Sequence, residues 1–260
     1  MRHKQILLAS ALLFSQVSLF AGKNNVIKGN GILTQIEKKT APFSSIQVPD
    51  GFALYISQGE EYLVKVQVDE NTSSFLNIST LNNTLSVDFG KDTEIKGLKK
   101  PEIHVTAPNL DKITSTGIGG IESKTMLNYS GSLLLETKGS GAVKLHINAS
   151  KLDIKAKGSG DFTIEGKIEK LIYNHSGSGN FTLAGSGDYL EIISEGSGKA
   201  VATAFEAQTV KVQAKGSGDH QLYVEKSLWL LKNGSSDITY KGRGIIEYID
   251  AKGSGTIKKI

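Results

Sequence analysis

Cysteine is absent from this 260-residue chain, which excludes a disulfide framework and lipid attachment at an N-terminal cysteine. Arginine is almost absent: Arg2 and Arg243 are the only two, and every other basic residue is a lysine. Arginine supplies the bidentate contacts that read phosphates and bases. Its scarcity, with a formal net charge of only +4, argues against nucleic acid as a partner. No apolar run reaches the roughly twenty residues of a membrane-spanning helix. The longest, 6-ILLASALLFSQVSLFA-21, follows Arg2 and Lys4 and ends in small residues, so residues 1–21 read as a secretory signal peptide cleaved after Ala21. Its removal lowers the net charge by two and leaves an exported chain with no membrane span. No helix of ordinary length is predicted after the signal.

Glycine, by contrast, is plentiful and periodic. Gly-Ser-Gly turns begin at Gly139, Gly158, Gly177, Gly196, Gly216, Gly234 (as Gly-Ser-Ser) and Gly253, at intervals of 19, 19, 19, 20, 18 and 19 residues. A weaker copy is 116-TGIGGIE-122. A phosphate-binding loop occurs once, between a strand and a helix. A fixed period with strand patterns on both sides signals a solenoid. Counting back from each turn, positions −6, −4 and −2 are apolar or small: Leu152-Ile154-Ala156, Leu171-Tyr173-His175, Val210-Val212-Ala214. The residues between them are mostly polar. After each turn the alternation resumes, as in Val143-Leu145-Ile147 and Phe162-Ile164. Period-two alternation marks half-buried strands.

Each coil is therefore expected to hold two short strands joined by two turns, one of them Gly-Ser-Gly and the other polar, such as 148-NASK-151 or 166-GKIEK-170. A single coil cannot offset the entropy of ordering its own residues, so the coils must stack and fold together. The expected fold class is all-β: a right-handed parallel two-sheet β-solenoid of about eight coils over residues 111–260, behind an N-terminal β cap over 22–110. Strand patterns in the cap include 45-SIQVPDGFALYISQG-59, 62-YLVKVQV-68, 84-TLSVDFG-90 and 102-EIHVTAP-108. Lys258 and Lys259 lie on the last strand, where lysine deters edge-to-edge pairing.

Residues 28–260 resemble a bacterial family, the putative auto-transporter adhesin, head GIN domain. The resemblance rests on 43-FSSIQVPDGFALYISQGE-60, on 102-EIHVTAPNLDKITSTGIGGI-121, on the opening 28-KGNG-31, and on the Gly-Ser-Gly turns followed by Asp or Asn. It implies a right-handed superhelix of two sheets with the triplets at the tight turns, distantly similar to pectin-lyase-type helices. It also implies no conserved catalytic residues and a role in adhesion. The chain departs from an autotransporter in showing no membrane barrel, stalk or lipid anchor.

Candidate chemistry is sparse. Asp161, Asp188, Asp219 and Asp237 follow glycine turns, but calcium-binding helices need an aspartate in every short repeat, and Ala142, Asn180, Lys199 and Thr256 share this column. His104, His146, His175 and His220 lack metal-ligand spacing. Of these, His175 and His220 fall on inward columns and read as core. No metal, cofactor or catalytic residue is expected. The column at −5 reads Leu134, Asp153, Ile172, Glu191, Lys211, Trp229, Tyr248. Asp153 and Glu191 stand two coils apart, the spacing of an inverting carboxylate pair, but Ile172 lies between them.

The same column gives the candidate interaction patch, Trp229 with Leu231 and Tyr248, outward on adjacent coils. One alternative stays open: the coil after Gly216 is a residue short, and a slip there would turn Trp229 and Leu231 inward and spare Lys232 an inward position. The expected function is non-catalytic binding to a glycan or protein at the cell envelope, in the periplasm or at the surface, by a monomer or homo-oligomer. The alternatives are a periplasmic scaffold and a carbohydrate-active lyase or glycosidase.

Overall fold

The computed structural model describes residues 25–90 and 93–260; the signal segment lies outside the described residues. Among these, the only helix is the short 3-10 turn Glu70–Phe75, and no helix is long and apolar enough to cross a membrane. Most of the rest is a parallel β-solenoid. Its long strands Leu127–Gly139, Val143–Gly158, Phe162–Gly177, Phe181–Gly196, Ala200–Gly216 and His220–Gly234 lie in parallel register, Gly139 beside Gly158, Gly158 beside Gly177, and so on. Inward residues such as Leu152, Ile154, Leu171, Ile192, Val212 and Leu230 are wholly buried in one continuous core.

The expectation of two short strands per coil needs correction. From the residue after one glycine turn to the first glycine of the next, the central coils each form one unbroken strand of 15 to 17 residues. At the second corner the chain bends without leaving the ladder: Gly166 still pairs with Gly185 and Lys167 with Ser186. The polar residues there resemble a turn in sequence. Their backbone hydrogen bonds nevertheless run to the neighbouring coils rather than across a local loop.

The glycine corner is different, and its geometry explains the triplet. The first glycine of each turn has positive φ, from 97° at Gly253 to 146° at Gly177. Its carbonyl accepts the N–H of the serine one coil on, as Gly158 does from Ser178 (3.2 Å) and Gly177 from Ser197 (3.1 Å). That same carbonyl fills the space where a side chain on the next coil's glycine would begin. Glycine is thus required by backbone angle and by close approach together.

The stack reaches back beyond residue 111. Ser45–Val48 pairs in parallel with Lys112–Gly117, and Ala53–Gln58 with Ile121–Ser123, so residues 45–58 form a coil with Asp50-Gly51 at its tight corner. This coil pairs in parallel with Thr84–Phe89 and Glu102–Ala107, and beyond those strands the pairing turns antiparallel. Leu63–Asp69 runs antiparallel to both Glu102–Ala107 and Leu33–Lys39, and Leu76–Leu81 antiparallel to Thr84–Phe89. The Glu70–Phe75 turn links the two sides across this end. Antiparallel hairpins close a sheet without the long crossovers that parallel strands need, which suits a cap.

The 28-KGNG-31 motif belongs to that closure. Asp69 is fully buried, and its carboxylate accepts the N–H groups of Gly31 and Lys99. Gly29 lies so close that an added Cβ would meet the Asp69 carboxyl at 2.7 Å. The motif is a cradle for a buried carboxyl group, whose oxygens are satisfied by backbone donors.

Candidate binding surface

The outer face of the strands leading into the glycine turns is built from columns, one residue per coil. The −5 column of the sequence is the column of the structure: Glu191 pairs with Lys211, Lys211 with Trp229 and Trp229 with Tyr248. The slip considered for the short coil does not reach this strand. Register shifts between Ala202 and Thr209 absorb the missing residue upstream, at the second corner. Trp229 is therefore outward, 40% exposed, and Tyr248 43% exposed; the two rings stack 5.7 Å apart at 22°. Leu231 is half-buried beside them. The consequence that the slip would have spared is real: Lys232 points inward, 3% exposed, and its ammonium donates to the Gly234 carbonyl at 3.0 Å.

Trp229 is the only tryptophan, so this placement is directly measurable. Its emission is expected to be red-shifted and readily quenched by acrylamide. A blue, protected spectrum would return Trp229 to the core.

Two coils before Trp229, Glu191 is clamped. Lys211 approaches at 3.0 Å, Gln213 donates to it at 3.0 Å and the Tyr189 hydroxyl at 3.1 Å. Burial opposes its charge, but Lys211, Gln213 and Tyr189 hold the carboxyl below the ordinary value. Asp153 pairs with Lys151 at 3.1 Å, and Ile172 stands between Asp153 and Glu191 in the column. Each carboxylate is engaged by its own lysine rather than facing the other across a groove, so the pair lacks the arrangement of a general acid and base.

The aspartates after the turns also have a structural use. Asp161 accepts the N–H of Asn180 (2.8 Å), Asn180 that of Lys199 (3.2 Å), Asp219 that of Asp237 (3.2 Å) and Asp237 that of Thr256 (2.7 Å). Side-chain oxygens thus form a ladder along the corner, which explains why Asp or Asn recurs there. Asp188 sits apart, at the second corner. Of the histidines, His104 stacks on Tyr55 (4.7 Å) and meets Glu102, while His146 meets Glu165 at 3.4 Å. His175 and His220 are buried, as their columns implied.

What the sequence reading did not single out is a second feature of this face, at −1 and −3. There Lys138 and Lys157 stand in register without an acidic partner among the described residues. The signal was available, since counting columns at −1 places two lysines on consecutive coils.

The family model described as "putative auto-transporter adhesin, head GIN domain" matches residues 42–182 and 167–244. The solved structures it is similar to include a putative adhesin from Parabacteroides merdae (TM-score 0.83, 23% identity, 91% of this chain and 99% of that one). Another is a putative adhesin from Parabacteroides distasonis (TM-score 0.81, 21% identity, 91% and 100%). A third, from the same organism, is described as a putative lipid binding protein (TM-score 0.80, 22% identity, 91% and 100%). No curated protein matches the chain. At these identities the structures establish a shared fold.

Proposed function

We propose, from the premise that this chain belongs to the "putative auto-transporter adhesin, head GIN domain" family, that it is an exported, non-catalytic binding protein. Its contact surface is the outer face of the strands leading into the glycine turns. The observation that carries this reading is the Trp229–Tyr248 pair, two large rings stacked outward and about two-fifths exposed, on a face whose other large apolar side chains, such as Ile172 and Leu231, are half-buried. Exposed aromatics on a rigid support make efficient anchors, because little conformational freedom is lost on contact. A solenoid supplies that support: Trp229 stands on a strand paired on both sides, and Tyr248 on the next strand, the last of this face, paired with that of Trp229.

The reading places the protein outside the outer permeability barrier, in contact with other surfaces. Protease treatment of intact cells tests it: the chain is expected to be degraded while a periplasmic control survives. Protection of both would replace adhesion by a periplasmic scaffold. With the purified protein, Trp229→Ala/Tyr248→Ala is expected to lower retention on arrayed glycans or matrix protein at least about tenfold without changing the melting temperature. Equal retention would remove the aromatic pair from the contact surface.

A further inference from the structure

We infer that a groove on this same face, crossing four coils at Thr114–Thr116, Glu136–Lys138, Lys155–Lys157 and Asn174–Ser176, binds an acidic polysaccharide. The groove encloses about 370 Å³. Its −1 column runs Thr116, Lys138, Lys157, Ser176, and its −3 column Thr114, Glu136, Lys155, Asn174. The one carboxylate in the lining, Glu136, is already taken: Lys112 holds it at 2.6 Å and Lys155 at 3.3 Å. That leaves Lys138 and Lys157 directly beside each other with no counter-charge among the described residues.

Like charges in register destabilise a ladder. Elsewhere on this face the charge is answered: Lys151 and Lys170 also lie in register, but Lys151 pairs with Asp153 at 3.1 Å and Lys170 lies over the Tyr189 ring. One column position has Lys215 against Glu195 at 2.9 Å, and another Lys211 against Glu191. The stacked lysines are an exception that an anionic ligand would complete. Around them Thr116, Ser176 and Asn174 offer neutral hydrogen-bond partners. Two cations on successive coils, flanked by hydroxyls, match a chain that carries carboxylates on successive sugars with hydroxyls around them. Successive coils lie about 4.8 Å apart, so an extended saccharide running along the solenoid axis meets one residue of each column after another. The groove lacks the aromatic platforms that hold single-stranded nucleic acid and the exposed apolar side chains that enter a membrane.

This inference gives a ligand class to the proposed contact surface and rests on that reading, but the two are separable. Trp229 lies four coils from Lys157, roughly 19 Å along the stack. Calorimetric titration of the protein with alginate oligosaccharides is the test, with neutral dextran oligosaccharides, inorganic phosphate and vesicles of anionic phospholipid as comparison probes. Alginate is expected to bind, more weakly as salt rises. Lys138→Ser/Lys157→Ser is expected to lose at least about tenfold in affinity, while Lys144→Ser/Lys226→Ser keeps it. Equal binding of dextran, unchanged affinity in the Lys138/Lys157 variant, or preferential binding of phosphate or vesicles would each overturn the assignment. Alginate binding lost in that variant, in a chain that surface proteolysis finds protected, would sink adhesion and leave the groove standing.

Discussion

Gly177→Ala is expected to destabilise the protein by about 3 kcal/mol or more, among the largest effects available to a single methyl group. Two independent constraints act on this position. The backbone sits at φ 146°, where an L side chain is strained. The new Cβ would also overlap the Gly158 carbonyl oxygen. That carbonyl cannot simply retreat, because it accepts the N–H of Ser178 at 3.2 Å. Gly177 in turn presents its own carbonyl to Ser197 and against Gly196, so a shift at one coil is passed to the next. Gly131→Ala is the matched comparison. Gly131 has no positive φ and no atom within 4 Å of an added Cβ, so its substitution is expected to stay within about 0.5 kcal/mol. Thermal melts of the two variants check this, and equal melting temperatures would mean that the turns are not held by carbonyl-to-glycine contact.

The third position of the turn is less strict, which bounds the argument. Gly160, Gly179, Gly198 and Gly218 occupy it without positive φ, and Ser236 takes it in the turn that begins at Gly234, its hydroxyl donating to the Gly216 carbonyl at 3.2 Å. The first glycine answers to both angle and space. The third answers to space alone, and where the spacing shortens to eighteen residues the corner accommodates a side chain.

This difference shows what could be read in the sequence. The period and the inward columns were legible because register and alternation are properties of the paired backbone, repeated on every coil. The second corner was misread because residues such as 148-NASK-151 are polar for exposure, and exposure does not say where the backbone hydrogen bonds go. The fate of Trp229 was left open for a similar reason. Counting reveals that a coil is one residue short but not where the slack is taken up. The register shifts between Ala202 and Thr209 decide it, and the burial of Lys232 follows. Residues 28–31 were visible as a motif, yet their purpose needs Asp69 and Lys99, each more than thirty residues away, to be brought together. The lysine groove needed only the −1 column to be counted as the −5 column was.

Stability is expected to fall as pH drops from about 6.5 to about 4, and His220 is the main cause. The ring is 1% exposed on the inward side of the strand that follows the Gly216 turn. Its Nε2 lies 2.9 Å from the Ser194 hydroxyl, and its Nδ1 has no partner. Burial lowers its pKa to about 4, against weaker opposing effects of Asp219 and the Gly218 backbone. His175, also buried, is lowered for the same reason, opposed by the Gly158 carbonyl. The depressed folded-state value fixes the sign. Above the unfolded value near 6.5 both states are neutral at this ring, and the full stability is present. Below it the unfolded chain takes a proton that the folded chain refuses, so stability is lost until the folded ring also protonates near 4. For His220 alone that loss amounts to roughly 3 kcal/mol. Valine is a suitable replacement because the column carries apolar side chains on either side, Ala200 before and Ile238 after. His220→Val is expected to flatten the dependence of melting temperature on pH between 6.5 and 4, leaving the smaller slope due to His175. Because the slope is compared and not the absolute melting temperature, any packing change brought by the valine does not enter. Parallel pH profiles for the two proteins would show that acid acts elsewhere, and would remove the buried histidine from any account of how this solenoid tolerates an acidic surrounding.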